Sequence, residues 1–253
     1  WSSDVCSSDL PKRFIHTRVS FNGGGKWSSL VPPTKTFNGG SFTCQENCHL
    51  HLHIDATRWI GEAVAPRTAI GLVVAHGNVG THLDYDDVSI FVSNDGGNKW
   101  KHAVPGAYKI VVGNFGGIIL LARSKGLSRG LLYSLDHGEN FDQFHFAPVG
   151  SEIFVEGLIA DPDNSANKKF ILLGRRASRN GTEGVTIIID FNKFDVPQCR
   201  LMNEPSTKDS DFEYFYPHTN TFSSCVLGHR STYIRKRPEV ASFVNGTEGH
   251  KIR

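Results

Sequence analysis

Long apolar runs are missing from this sequence. The longest, Gly116–Ala122 (GGIILLA), is the size of a strand, far short of the roughly 18 residues that cross a bilayer as a helix. No helical apolar repeat is sustained either. Charge of one sign is scarce: 27 Lys and Arg against 25 Asp and Glu leave a net +2, with no strongly basic block. That balance gives no footing for a nucleic-acid or membrane-surface binder. A Gly-x-Ser-x-Gly elbow, a GxxxxGK[ST] phosphate loop and an activated-cysteine setting are all absent. The sequence therefore nominates no catalytic residue and no cofactor.

What is abundant points to sheets. Twenty-six glycines and 17 phenylalanines stand against one methionine, a composition suited to a turn-rich β protein. The 253 residues are 39% hydrophobic, enough core for one large domain or a domain plus a small module. Residues 1–11 (WSSDVCSSDLP) double the triplet Ser-Ser-Asp and show no strand alternation. They are expected to be a non-native leader. The start at Trp1, with no signal-peptide layout, and the stop at Arg253 are expected to be the ends of a fragment.

One short pattern recurs. Ser93-x-Asp95-x-Gly97-x-x-Trp100 is echoed by Ser134-x-Asp136-x-Gly138-x-x-Phe141 and, more loosely, by Ser20-x-Asn22-x-Gly24-x-x-Trp27. Each residue type has a structural task. The Asp or Asn accepts backbone amides two residues on and closes a turn. Glycine supplies a backbone angle that other residues reach only with strain. The aromatic turns inward and packs, and the serine satisfies another turn amide. The pattern is the Asp box of β-propellers. A calcium loop at Asp95 is disfavoured because its alternating oxygens and later glutamate are missing.

Ser93 and Ser134 stand 41 residues apart, the length of one four-stranded blade. The 73-residue interval from Ser20 to Ser93 requires an insertion. Strands are expected at 49–54, 71–75, 88–92 and 100–104, then at 109–113, 117–122, 131–134 and 143–146. A third set, at 154–160, 169–173 and 185–191, has no Asp box and lacks a fourth strand. That is what remains of a last blade when an N-terminal strand closes the ring.

Cys44, Cys48, Cys199 and Cys225 are compatible with a disulfide framework, and two sequons, Asn180-Gly-Thr and Asn245-Gly-Thr, lean the same way toward an oxidising compartment. In CQENCHLHLH (44–53), His49, His51 and His53 share one strand face. Their spread of about 13 Å exceeds one zinc shell. A Cys44–Cys48 disulfide closing a short loop, followed by a strand with a polar outer face, is the expectation. Asp84, Asp86 and Asp87 read as a solvated acidic loop, and Arg235-Lys236-Arg237 as a solvated strand end. An Asp-box glycoside hydrolase of the sialidase kind is the alternative function. Against it, the only adjacent arginines in the blades are Arg175 and Arg176, and no Arg-Ile-Pro motif precedes the boxes.

GLVVAHGNVG (71–80), SNDGGNKW (93–100), SLDHGENF (134–141) and TIIIDF (186–191), then Cys199, FEYFYPH (212–218) and CVLGHRSTYIRKRPE (225–239), resemble the sortilin family of sorting receptors. The resemblance covers about residues 15–250 and implies an all-β fold: the last blades of a ten-bladed propeller over 12–194, then an incomplete cysteine-rich module over 195–253. It implies peptide or proprotein ligands, a non-catalytic ectodomain, and compatibility with a homodimer. It also implies the lumenal side of Golgi, endosome and plasma membrane, tied to the membrane by a span outside these residues. The family's cysteine after the RK segment falls near Ser242, which leaves Cys199 without that partner, and the partner of Cys225 falls beyond Arg253. The family's peptide-contacting residues fall upstream of residue 15, so no ligand-binding residue is carried over.

Overall fold

The computed structural model describes residues 14–43, 47–54, 63–161, 166–178, 181–200, 204–216 and 231–245. The proposed leader, Cys44, Cys225 and Asn180 lie outside these residues. Strands dominate. A small ribbon pairs β1 (Arg18–Val19) with β2 (Ser28–Ser29). The first four-stranded sheet runs β3 (His49–Leu52), β4 (Val73–Gly80), β5 (Ser89–Ser93), β6 (Lys101–Pro105), in that order. The second is a meander of β7 (Tyr108–Gly113), β8 (Ile118–Arg123), β10 (Gly130–Ser134) and β11 (Asp142–His145).

Between β8 and β10 the two-residue β9 (Leu127–Ser128) leaves its own sheet. It pairs with β12 (Ile153–Ala160) at the edge of the third sheet, which continues through β13 (Lys169–Ser178) to β14 (Gly181–Asp190). The third sheet thus has a fourth strand that the sequence pattern did not show. The strand lies beside β12, and the outer edge at β14 has no further strand among the described residues. A final hairpin pairs β15 (Phe212–Phe215) with β16 (Tyr233–Lys236).

The alternation of side chains explains why the three sheets stack as blades. In β8, Ile118, Leu120 and Ala122 face one way, into a core with Ile153, Phe170 and Leu172 of the third sheet. Ile119 and Leu121 face the other way, against Val74, Ile90 and Val104 of the first sheet. All five are fully buried, so an unbroken apolar run marks a strand covered on both faces. The far face of the first sheet is covered too, with Leu50, Ala75 and Phe91 packed against Leu30. Among the described residues nothing covers the far face of the third sheet: Ile159, Ile171 and Ile188 align across its strands and are 47%, 42% and 70% exposed.

Candidate functional site

Both downstream Asp boxes build the same turn. Ser93 Oγ donates to Asp95 Oδ1 (2.9 Å) and accepts the amide of Gly97 (2.9 Å). Asp95 Oδ1 accepts the amides of Asn98 (3.1 Å) and Lys99 (2.8 Å). The carboxylate therefore reaches three and four residues on, farther than the two-residue Asx turn expected from the sequence. Ser134, Asp136, Gly138 and Asn140 repeat the arrangement at 2.7–2.9 Å. Burial alone would push the Asp136 carboxyl up, but its bonds from Asn140 and Ser134 outweigh that and hold it below the ordinary value. Gly97 and Gly138 sit at φ +93° and +85°. A Cβ on Gly138 would also meet Val92 at 2.9 Å, so glycine is required there twice over. The preceding position is also left-handed, filled by Gly96 (φ +77°) in one box and by His137 (φ +54°) in the other.

The aromatic position differs. Trp100 is buried and its indole N–H donates to Gly97 O at 2.8 Å, while Phe141 packs against the core between the first and second sheets. Trp27 is 56% exposed, which corrects the expectation that all three aromatics turn inward.

Successive basic residues of β16 reach these turns. Arg235 donates to Asn94 O and to Ile70 O (3.2 Å), pairs with Glu213 (2.8 Å) and lies 4.0 Å over the Phe215 ring. Lys236 is 2% exposed, and its Nζ donates to Leu135 O at 3.4 Å. Asn94 and Leu135 occupy the same place in their boxes, directly after the serine. The Arg235-Lys236 pair is thus buried against two equivalent turns, which overturns its reading as a solvated strand end. Desolvation lowers the Lys236 ammonium to about 8.

Asn114, fully buried at φ +47°, completes the docking. It donates to Val244 O (2.8 Å) and accepts the Val244 amide (2.8 Å). Phe115, Phe212 and Val244 form a small apolar cluster beside it.

The histidines are structural in placement. His51 accepts the Thr17 amide at Nδ1 (3.2 Å), so its Nε2–H donates to Gly80 O (3.2 Å). His53 meets Asn78 Oδ1 at 3.1 Å. Both are buried, so the face expected to be polar and outward is covered. Desolvation lowers His51 and His76 to about 4. Three metal-ligating side chains converge nowhere among the described residues. Asp84, Asp86 and Asp87 are exposed.

Cys48 is disulfide-bonded. Cys199 is free, with its Sγ 2.9 Å from Ser242 Oγ. A hydroxyl therefore stands where the family resemblance places a second thiol. Asn245 is exposed, and its Oδ1 accepts from Lys168 Nζ at 2.5 Å.

Residues 3–158 match the family model described as "Sortilin, neurotensin receptor 3" and residues 161–252 its C-terminal companion. The chain belongs to the sortilin–Vps10 family. Among curated proteins it is 32% identical over 249 residues to the vacuolar protein sorting/targeting protein 10 of Aspergillus terreus. It is 31% identical over 255 residues to that of Aspergillus flavus, and 31% over 242 residues to that of Mycosarcoma maydis. These alignments take in 94%, 96% and 93% of this chain but 16%, 17% and 15% of the relatives. The family comprises sorting receptors and not enzymes, and its Sortilin–Vps10 domain is a propeller, in line with the stacked sheets.

Proposed function

We propose that this sortilin–Vps10 chain is part of the ligand-binding ectodomain of a sorting receptor that carries peptide or proprotein cargo between Golgi and endosome. The observation that supports it most is the ordered pair of family matches over residues 3–158 and 161–252. The junction between the two matches falls at the end of β12, so the second match takes in the rest of the third sheet and the docked hairpin. In this reading the propeller is ten-bladed and these three sheets are its last blades. The module begins near residue 195, the protein faces the lumen, and a membrane span lies in another part of the polypeptide. Cys44 is the partner of Cys48, Asn180 and Asn245 carry glycans, and the receptor can self-associate as a homodimer.

The test is deletion of the gene followed by assay of cargo. Vacuolar precursors should appear in the medium and return to the cell on re-expression. Unchanged vacuolar delivery would sink the proposal, as would turnover of fluorogenic sialosides by the purified ectodomain.

A further inference from the structure

Four histidines gather where the chain enters the first sheet. His49 and His51 lie on β3, His82 in the loop between β4 and β5, and His16 on the segment 14–17 that leads into β1. That segment runs along the edge of β3 that β4 leaves free. Ile15 O accepts the Leu83 amide (2.8 Å), Thr17 Oγ1 accepts the Leu52 amide (2.9 Å), and the Thr17 amide donates to His51 Nδ1 (3.2 Å). Apolar burial contributes little to its hold: Phe14 and Ile15 are each 58% exposed, and the Phe14 ring lies 4.5 Å from that of His82.

One of these bonds depends on the charge of a ring. His51 Nδ1 must be bare to accept the Thr17 amide, and its Nε2–H donates to Gly80 O (3.2 Å). A proton added at Nδ1 would set one N–H against another, so the charged ring and the Thr17 bond exclude each other. The titratable groups that act on His51 are His16 of the segment (5.5 Å between rings), His49 of its own strand (6.4 Å) and His82 of the loop. All three become cationic in acid and none is a carboxylate. Gly80 O favours the proton, but burial and the three imidazoles oppose it.

Two residues earlier on the same edge the hold is of another kind. The Leu50 amide donates to Leu30 O at 3.1 Å, backbone to backbone, and both side chains are buried in one core. The free edge of β3 is thus fastened at two points. The fastening at Leu30 contains no titratable group, and the fastening by residues 14–17 turns on an imidazole.

We propose that residues 14–17 are an acid-released strap: protonation of His51 unlatches Thr17, and the edge of β3 opens at Leu52 while the bond between Leu50 and Leu30 stays closed. Burial sets the direction. Desolvation, the largest influence, holds the latched His51 at about 4, and a ring released into water returns to its ordinary value near 6.5. The strap is therefore fully latched above about pH 6.5, loosens as pH falls below that value, and loosens no further below about 4. The latch is built from these residues alone and is independent of which cargo the ectodomain carries.

The test is hydrogen exchange resolved to single amides in the complete ectodomain that carries this chain, at about pH 7.5 and about pH 5, corrected for intrinsic rate. Exchange at Thr17 and Leu52 should quicken about 25-fold between the two, the ratio that values near 6.5 and about 4 impose. Leu50 should quicken by less than about threefold. His51→Asn sets a side-chain oxygen, which does not titrate, near the place of Nδ1, and should hold Leu52 within about threefold over the same range. A lower melting temperature in His51→Asn leaves the decision to the contrast between Leu52 and Leu50 in the parent protein. Leu52 exchange indifferent to acid, equal quickening at Leu50 and Leu52, or a full acid response in a His51→Asn protein of parental stability would each overturn the proposal. Cargo delivery in the gene-deletion assay reports on the receptor function independently, so failure here and failure there are separable.

Discussion

The turn at Ser20 and the turn at Ser93 are closed by the same bonds. Ser20 Oγ accepts the Gly24 amide at 2.8 Å and Asn22 Oδ1 accepts the Lys26 amide at 2.8 Å, matching their counterparts at Ser93 and Asp95. Yet Trp27 is 56% exposed and Trp100 is 8% exposed. Local hydrogen bonds suffice to form the turn. Burial of the aromatic requires a packed sheet face alongside, which Trp100 has in the core it shares with Phe91 and Ala75 of the first sheet. The Asp box is thus two devices in one, a turn closed by its own side chains and an anchor that depends on what lies alongside.

Truncating the anchor should break the likeness most visibly. Trp100→Ala removes a buried indole and orphans no carbonyl bond other than Gly97 O, and should cost about 3–5 kcal/mol in chemical unfolding. A loss below about 1 kcal/mol would mean that the turn carries the blade without its anchor. Next in size is the serine. Ser134→Ala leaves the buried Gly138 amide without its acceptor and should cost about 1–3 kcal/mol. Ser20→Ala, where the Gly24 amide is exposed, should fall within about 0.5 kcal/mol.

Acid should separate the blades themselves. The first sheet holds His51 and His76, both lowered to about 4 by desolvation, whereas β7, β8 and β10 contain no histidine. Below the ordinary histidine value near 6.5 the unfolded chain takes up protons that the folded one refuses. Stability is therefore full at neutral pH, falls as pH drops below about 6.5, and stops falling near 4. Each such histidine contributes up to about 1.4 kcal/mol per pH unit. Hydrogen exchange, corrected for intrinsic rate, should quicken in β4 between pH 7.5 and 5 more than in β8, and His76→Gln should flatten the difference. Equal acceleration in both strands would sink the assignment.

The strands and boxes were legible because their causes are local. Eleven strands follow from alternation and apolar runs, and the Ser-x-Asp-x-Gly spacing carries its own hydrogen bonds. What escaped has distant causes. Arg235 and Lys236 read as solvated because charge normally is, and their partners Ile70, Asn94 and Leu135 are 165, 141 and 101 residues away. The short β9 escaped for the same reason: Leu127 and Ser128 pair across a whole hairpin with Phe154 and Ile153.

Trp27 supplies the smallest and most discriminating change. Its ring lies over its own turn, with Gly24 close beneath it, and most of its surface faces solvent in the structure described here. Trp27→Ala should then move stability by no more than about 0.5 kcal/mol, against the several expected for Trp100. The comparison is sharpest when both variants are made in the described segment and again in the complete ectodomain. If Trp27 remains neutral in both, the box at Ser20 is a turn whose anchor has no seat. A cost near that of Trp100 in the longer protein alone would show that another part of the polypeptide covers Trp27, and that its exposure follows from which neighbours are present and not from the box itself.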